Sequence, residues 1–242
     1  MMPLTCKLQQ LQDISSRWGA TSVEVGQFFL AYQSVVVLAY LAFTGTLLEL
    51  KKEVAAVLHL KPENQGSLWP KTTLATLADG EILSPGEVQI VRDVCTAFDG
   101  KLKALTLDQR QMRIDELQVV VFGNRSLEQR IFQLTLPLSG PSAKAGSLPD
   151  DHIAFVQDVM HQFDNARLME YYPLLDPNGR TTDLYYRAPW VECTLIAPVR
   201  WSEDIRKLVR EFLFELNNRV KAKYRLFAPS SLHLTVRALV PV

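Results

Sequence analysis

The sequence predicts an α+β protein of two pseudo-symmetric lobes, each a small antiparallel sheet with helices packed outside. Three observations carry this. Two stretches, "PKTTLATL" at 70–77 and "LHLTVRAL" at 232–239, share one pattern: a basic or imidazole residue, any residue, Thr, an aliphatic, two more residues and Leu. Each ends a strand, helix, strand series, over 35–43, 47–60 and 71–77 in the first half and over 191–197, 201–220 and 232–240 in the second. The 242 residues, 48% hydrophobic and 21% charged with a mean hydropathy of +0.02, are ordinary for a globular chain with a sizeable core.

Taken in order, residues 4–18 carry apolar positions at helical spacing and predict an N-terminal helix. "SVVVLAYLAF" is rich in β-branched and aromatic residues, which favours a buried strand over 35–43. Gly45 marks a turn, and "LLELKKEVAAVLHL" is an amphipathic helix closed by Lys61-Pro62. The Thr-rich stretch 71–77 is a strand. Ser84, Pro85 and Glu87 spell a helix start, with Gly100 as its stop. "ELQVVVFG" and "RIFQLTLPL" form two strands joined by "NRSLEQ".

Residues 139–150 ("SGPSAKAGSLPD") have linker composition. Beyond them, a helix capped by Asp150 or Asp151 runs through "DDHIAFVQDVMHQFDNARLMEYY", followed by a turn-rich stretch with "DPNGR". "WVECTLIAP" is strand-like, "WSEDIRKLVREFLFELNNRV" at 201–220 is a helix with Ser202 as its cap, and the chain ends in a strand. The predicted organisation is thus an N-terminal helical extension (1–33), a first lobe (34–138), a linker (139–150) and a second lobe (151–242), the lobes forming one composite domain.

Lys+Arg and Asp+Glu balance at 26 each, so no global charge points to a DNA coat or a membrane surface, and an anion site must be local. Cys6, Cys95 and Cys193 are odd in number and far apart, without CxxC or Cys/His spacing. This argues against a disulfide framework or a metal site and fits a reducing, cytoplasmic interior. The start does not read as a secretory signal. The apolar stretch 25–48 is long enough to span a bilayer as a helix, but Gln27, Gln33 and Ser34 interrupt it and its β-branched residues favour a strand, so no membrane partner is expected.

Side chains alternate along a strand, so Lys71 and Thr73 share a face, as do His233, Thr235 and Arg237. Packed side by side, the two strands would line one cleft with cations and hydroxyl donors, which suits a phosphate. This arrangement resembles the 2H phosphoesterase superfamily, the LigT-like or cyclic phosphodiesterase fold, whose two lobes each supply a His-x-Thr/Ser motif followed by an aliphatic residue. His233-Leu234-Thr235-Val236 fits that motif, and Lys71-Thr72-Thr73-Leu74 fits it with Lys71 in place of the first histidine. The resemblance covers residues 34–242. It implies metal-free acid/base chemistry without a cofactor on a phosphodiester, typically a 2′,3′-cyclic nucleotide or an RNA terminal phosphate. In it one histidine is the general base and the other the acid, while the hydroxyl residues bind phosphate.

Histidine exchanges protons near neutral pH unaided, whereas lysine, with an ordinary pKa of about 10.4, does so only when burial or a neighbouring cation lowers it. Three readings of Lys71 stay open: it replaces the missing acid, it only holds the anion, or the site is retired and binds a nucleotide, an RNA end or a protein partner without turnover. Arg237 would assist phosphate binding from the face of His233. Trp69, two residues before Lys71, and Tyr185, Tyr186 and Trp190 could stack on a base, though core packing explains most such rings. A monomer is expected. "PKTT" lacks the glycines of a phosphate-binding loop, and no GxSxG elbow is present. His59, His152 and His161 form no ligand set, and Arg206, Lys207 and Arg210 alternate with acids as on a solvated helix face.

Overall fold

The computed structural model describes residues 4–63, 65–141, 148–164, 167–175, 185–187 and 191–239. The first helix, α1 (Leu4–Arg17), turns Leu11 and Ile14 into the core. β1 (Thr21–Leu30) and β2 (Val36–Tyr40) follow as an antiparallel pair, then α2 (Gly45–Val57), whose Thr44 cap accepts a bond from the Leu47 N–H. A short turn of helix, Gln65–Leu68, leads into β3 (Lys71–Leu77). α3 (Pro85–Lys103) begins with the predicted box: Ser84 accepts from the Glu87 N–H while the Glu87 carboxylate takes the Ser84 N–H. β4 (Gln111–Ile114), β5 (Glu116–Phe122) and β6 (Arg130–Pro137) come next, then α4 (Asp150–His161), β7 (Glu192–Pro198), α5 (Glu203–Arg219), β8 (Tyr224–Leu226) and β9 (His233–Ala238).

The strands make two antiparallel sheets, ordered β4-β1-β2-β3-β8 and β6-β5-β7-β9. The α+β class therefore stands. Both sheets draw strands from both sides of the expected linker: the β5–β6 hairpin pairs with β7, and β8 completes the first sheet beside β3. A contiguous division at 138 and 151 does not describe this pairing. Residues 21–30, expected within a helical extension, form β1 in the interior of the first sheet. Their Phe28 stacks on Phe212 of α5 at 4.1 Å, a contact that only the assembled core supplies.

Other differences are local. α3 passes through Gly100, expected as its stop, because Leu102 is buried and Gly100 meets nothing that its missing side chain would need to contact. Pro149 rather than an aspartate occupies the cap of α4; Asp150 and Asp151 lie in its first turn, and the helix ends at His161, well before residue 172. The start of the expected linker is docked, Gly140 donating its N–H to the Trp18 carbonyl at 3.0 Å. Residues 142–147, the "DPNGR" turn and Trp190 lie outside the described residues.

A buried polar node joins the sheets. The Trp201 indole N–H, just past β7, donates to the Tyr40 hydroxyl at 3.0 Å, and Tyr40 also bonds Thr72 at 2.9 Å. Burial pushes the Tyr40 phenol up to about 12, so the node stays neutral. Among the described residues no helix is long and apolar enough to cross a membrane.

Candidate active site

Lys71 opens β3 and His233 opens β9, and the two strands break register at corresponding residues. Against β2, Val37 faces Thr73 and Val36 faces Ala75, leaving Leu74 as the extra residue. Against β7, Ile196 faces Thr235 and Leu195 faces Arg237, leaving Val236 extra. Each bulge thus falls on the aliphatic residue directly after the motif threonine. A bulge reverses the alternation of faces beyond it.

Before the bulges, Lys71, Thr73, His233 and Thr235 all turn into one cleft of about 280 Å³ lying between the sheets. The four residues share that cleft because β3 and β9 pack against each other across the sheet boundary. Beyond the bulge, the alternation predicted for Arg237 fails, and Ala238 lines the cleft in its stead. Arg237 is 5% exposed, pairs with Glu63 at 3.2 Å and donates to the Lys61 carbonyl, and it does not line the cleft. Its expected position on the face of His233 is corrected accordingly.

Burial shapes both candidate proton carriers. The Lys71 ammonium lies 4.1 Å above the Trp69 ring. Desolvation, with Lys51 as a nearby like charge, pulls its pKa down to about 7. His233 donates its Nδ1–H to the Ser231 carbonyl at 2.8 Å; because a carbonyl only accepts, Nε2 is left without a proton. Desolvation, aided by Arg130, lowers the His233 pKa to about 4, against the pull of that same carbonyl. Near neutral pH the cleft therefore holds a neutral imidazole beside an amine that is part ammonium, part free base.

The supports of each head are local. The Pro229–Ser231 turn is pinned by Ser231 donating to the Ala228 carbonyl at 2.8 Å and by Arg130 donating to the Ser230 carbonyl at 3.0 Å, which fixes the acceptor under His233. Trp69 is 2% exposed and packs edge-on against Phe29. It serves Lys71 as a floor, and offers no open face for the base stacking expected of it. Tyr185 hydrogen-bonds Thr73, orienting the hydroxyl, and burial raises its phenol pKa.

Residues that the motifs did not announce complete the cleft. Arg125, in the β5–β6 connection, pairs with Glu192 at 3.2 Å, and both line the cleft. Gln33 reaches the rim from a connection in which Gln33 and Ser34 both take left-handed backbone, φ 58° and 57°. Consecutive left-handed residues that are not glycine are costly and gather at functional loops, but strain of this kind leaves no mark in composition. His152 has a bracing role, its Nε2–H donating to the Leu68 carbonyl at 3.2 Å, and His161 pairs with Asp164 on the surface. Arg206 and Arg210 both pair with Glu203 on α5, as a solvated face requires. Among the described residues no group of three or more His, Cys, Asp or Glu side chains is placed to hold a metal.

Comparison of the chain with family profiles, curated proteins and solved structures finds no match.

Proposed function

We propose that this chain is a 2H-like phosphodiesterase acting on a 2′,3′-cyclic nucleotide or an RNA terminal phosphate. The observation that carries the reading is the meeting of Lys71-x-Thr73 and His233-x-Thr235 in one cleft, each ahead of the same bulge. In this scheme His233 Nε2 takes the proton of the attacking water as the water oxygen bonds to phosphorus. The bond from phosphorus to the leaving oxygen breaks, and the Lys71 ammonium gives that oxygen its proton. Thr73 and Thr235 donate to the non-bridging oxygens, where charge develops. Proton exchange with solvent then resets both groups.

The lowered pKa of Lys71 supports its place as the acid, since an ordinary lysine would hold its proton too tightly at neutral pH. The cation–π contact with Trp69 favours a second reading, a binder whose Lys71 clamps an anion without releasing a proton. Turnover of 2′,3′-cyclic nucleotides and of short RNAs ending in cyclic phosphate, measured in chelator, separates the two. His233→Ala and Lys71→Ala should each lose on the order of 10²-fold or more in kcat. Absence of turnover in the wild type, with ligand binding that weakens in both variants, would select the binder.

A further inference from the structure

The β5–β6 connection reaches both the cleft and the turn that carries His233. Arg125 and Leu127 line the cleft, and Leu127, 2% exposed, takes left-handed backbone at φ 57°. Such backbone is costly for a leucine and marks a connection whose path is imposed by what it must reach. The next side chains, Glu128 and Arg130, do not line the cleft and meet the turn ahead of β9 instead. Glu128 Oε1 accepts the Ala228 N–H at 2.9 Å, and Arg130 Nη2 donates to the Ser230 carbonyl at 3.0 Å. Within the turn, the Ser231 N–H and hydroxyl both donate to the Ala228 carbonyl, at 2.9 and 2.8 Å, and the Ser231 carbonyl accepts from His233 Nδ1 at 2.8 Å. An unbroken series of hydrogen bonds thus runs from the connection to the imidazole.

Arg130 is expensive where it stands. It is half-buried, and it bonds only neutral acceptors: the Ser230 carbonyl, the Leu127 carbonyl at 3.2 Å and the amide oxygens of Gln133 at 2.7 Å and Gln118 at 3.4 Å. A guanidinium drawn from water without a carboxylate gains no ion-pair energy, so what it supplies here is the fixed fork of its donors. An imidazole left to itself favours the proton on Nε2. A carbonyl opposite Nδ1 reverses that preference, because it can only accept. The tautomer of His233 is therefore only as firm as the seat of the Ser231 carbonyl. We infer that Glu128 and Arg130 are positioning residues: they clamp the 228–231 turn at two points, hold the Ser231 carbonyl against Nδ1 and so keep His233 Nε2 bare. That the bare nitrogen is a catalytic base rests on the function proposed above, whereas the tautomer does not.

The readout is nitrogen NMR of the chain labelled in its histidine rings, near neutral pH, where a protonated and a bare ring nitrogen resonate far apart. The His233 signals are identified by their loss in His233→Gln. The wild type should carry its ring proton on Nδ1. Glu128→Ala and Arg130→Met should each lower the ratio of the Nδ1–H to the Nε2–H form about fivefold to tenfold, the weight of one hydrogen bond. Glu128→Gln keeps an oxygen for the Ala228 N–H and should hold the wild-type ratio. Loss of packing alone would lower stability without moving the ring proton. A wild-type ring protonated on Nε2, an unmoved ratio in either folded clamp variant, or a Glu128→Gln ratio as low as that of Glu128→Ala overturns the inference. The Glu128 side chain is 24% exposed, so its variants decide the matter if Arg130→Met does not fold. With 2′,3′-cyclic nucleotides as substrate, kcat should fall with the fraction of the Nδ1–H form while KM holds. A moved tautomer in a chain without turnover would keep the clamp and discard the catalytic reading. Turnover with an unmoved tautomer would do the reverse.

Discussion

Lys71 and His233 lose charge for the same reason, since an ammonium and an imidazolium are both disfavoured where water is withdrawn. In the proposed scheme the base must be unprotonated, which His233 is above about 4, and the acid must be protonated, which Lys71 is below about 7. We therefore expect kcat/KM to rise through the first value, level off, and fall through the second; a profile flat from pH 5 to 9 would remove Lys71 as the acid. The same shift acts on stability. Above about 7 the folded Lys71 has released a proton that the unfolded chain, with an ordinary lysine pKa, still holds, so stability should increase with pH from about 7 to about 10.5. In Lys71→Met that rise should be smaller, as read from urea midpoints across the range. The convergence of Lys71, His233 and both threonines was legible in the sequence because strand periodicity places i and i+2 together. Arg237 was misread by the same rule, for periodicity cannot see a bulge. Tyr185 carried only the weak signal of an aromatic near a strand, and Arg125 was hidden in a polar connection.

At the scale of elements, caps and close approaches decide where each segment stops. Ser84→Ala breaks the reciprocal box at the start of α3 and should cost about 1 kcal/mol, measured by chemical denaturation. Gly140 is more exacting. A Cβ there would run into the Arg17 carbonyl, so Gly140→Ala must displace backbone at the end of α1. We expect a loss of about 2 kcal/mol and a fall in Tm of roughly 4–8 °C, and an unchanged Tm would show that this contact is loose. Cap residues announce themselves because their chemistry is local. The role of Gly140 does not, since its composition is that of a linker and its constraint comes from a chain segment far away in sequence. Gly100 shows the converse, a stop signal overridden once Leu102 has a core to enter.

At the scale of the molecule, the exchange of strands between halves makes folding a joint property. Residues 1–141 lack β8 and β7, one neighbour each of β3 and β5, and residues 148–242 lack β5, one neighbour of β7, and β3, against which β8 pairs. Neither fragment should fold alone, and mixing them should restore ordered amide signals; an independently folded fragment, seen as dispersed NMR resonances, would contradict this. The sequence by itself determined the class, the starts of α3 and α5, the two motif strands and the four side chains that meet, because each follows from short-range periodicity or capping chemistry. Only the tertiary structure decided that β1 is an interior strand, that β5 and β6 join β7, that Arg237 turns into a buried ionic cluster, and that the amine of Lys71 sits low enough to exchange a proton. These depend on pairing partners, bulges and loss of water, all of them properties of residues brought together from distant parts of the chain.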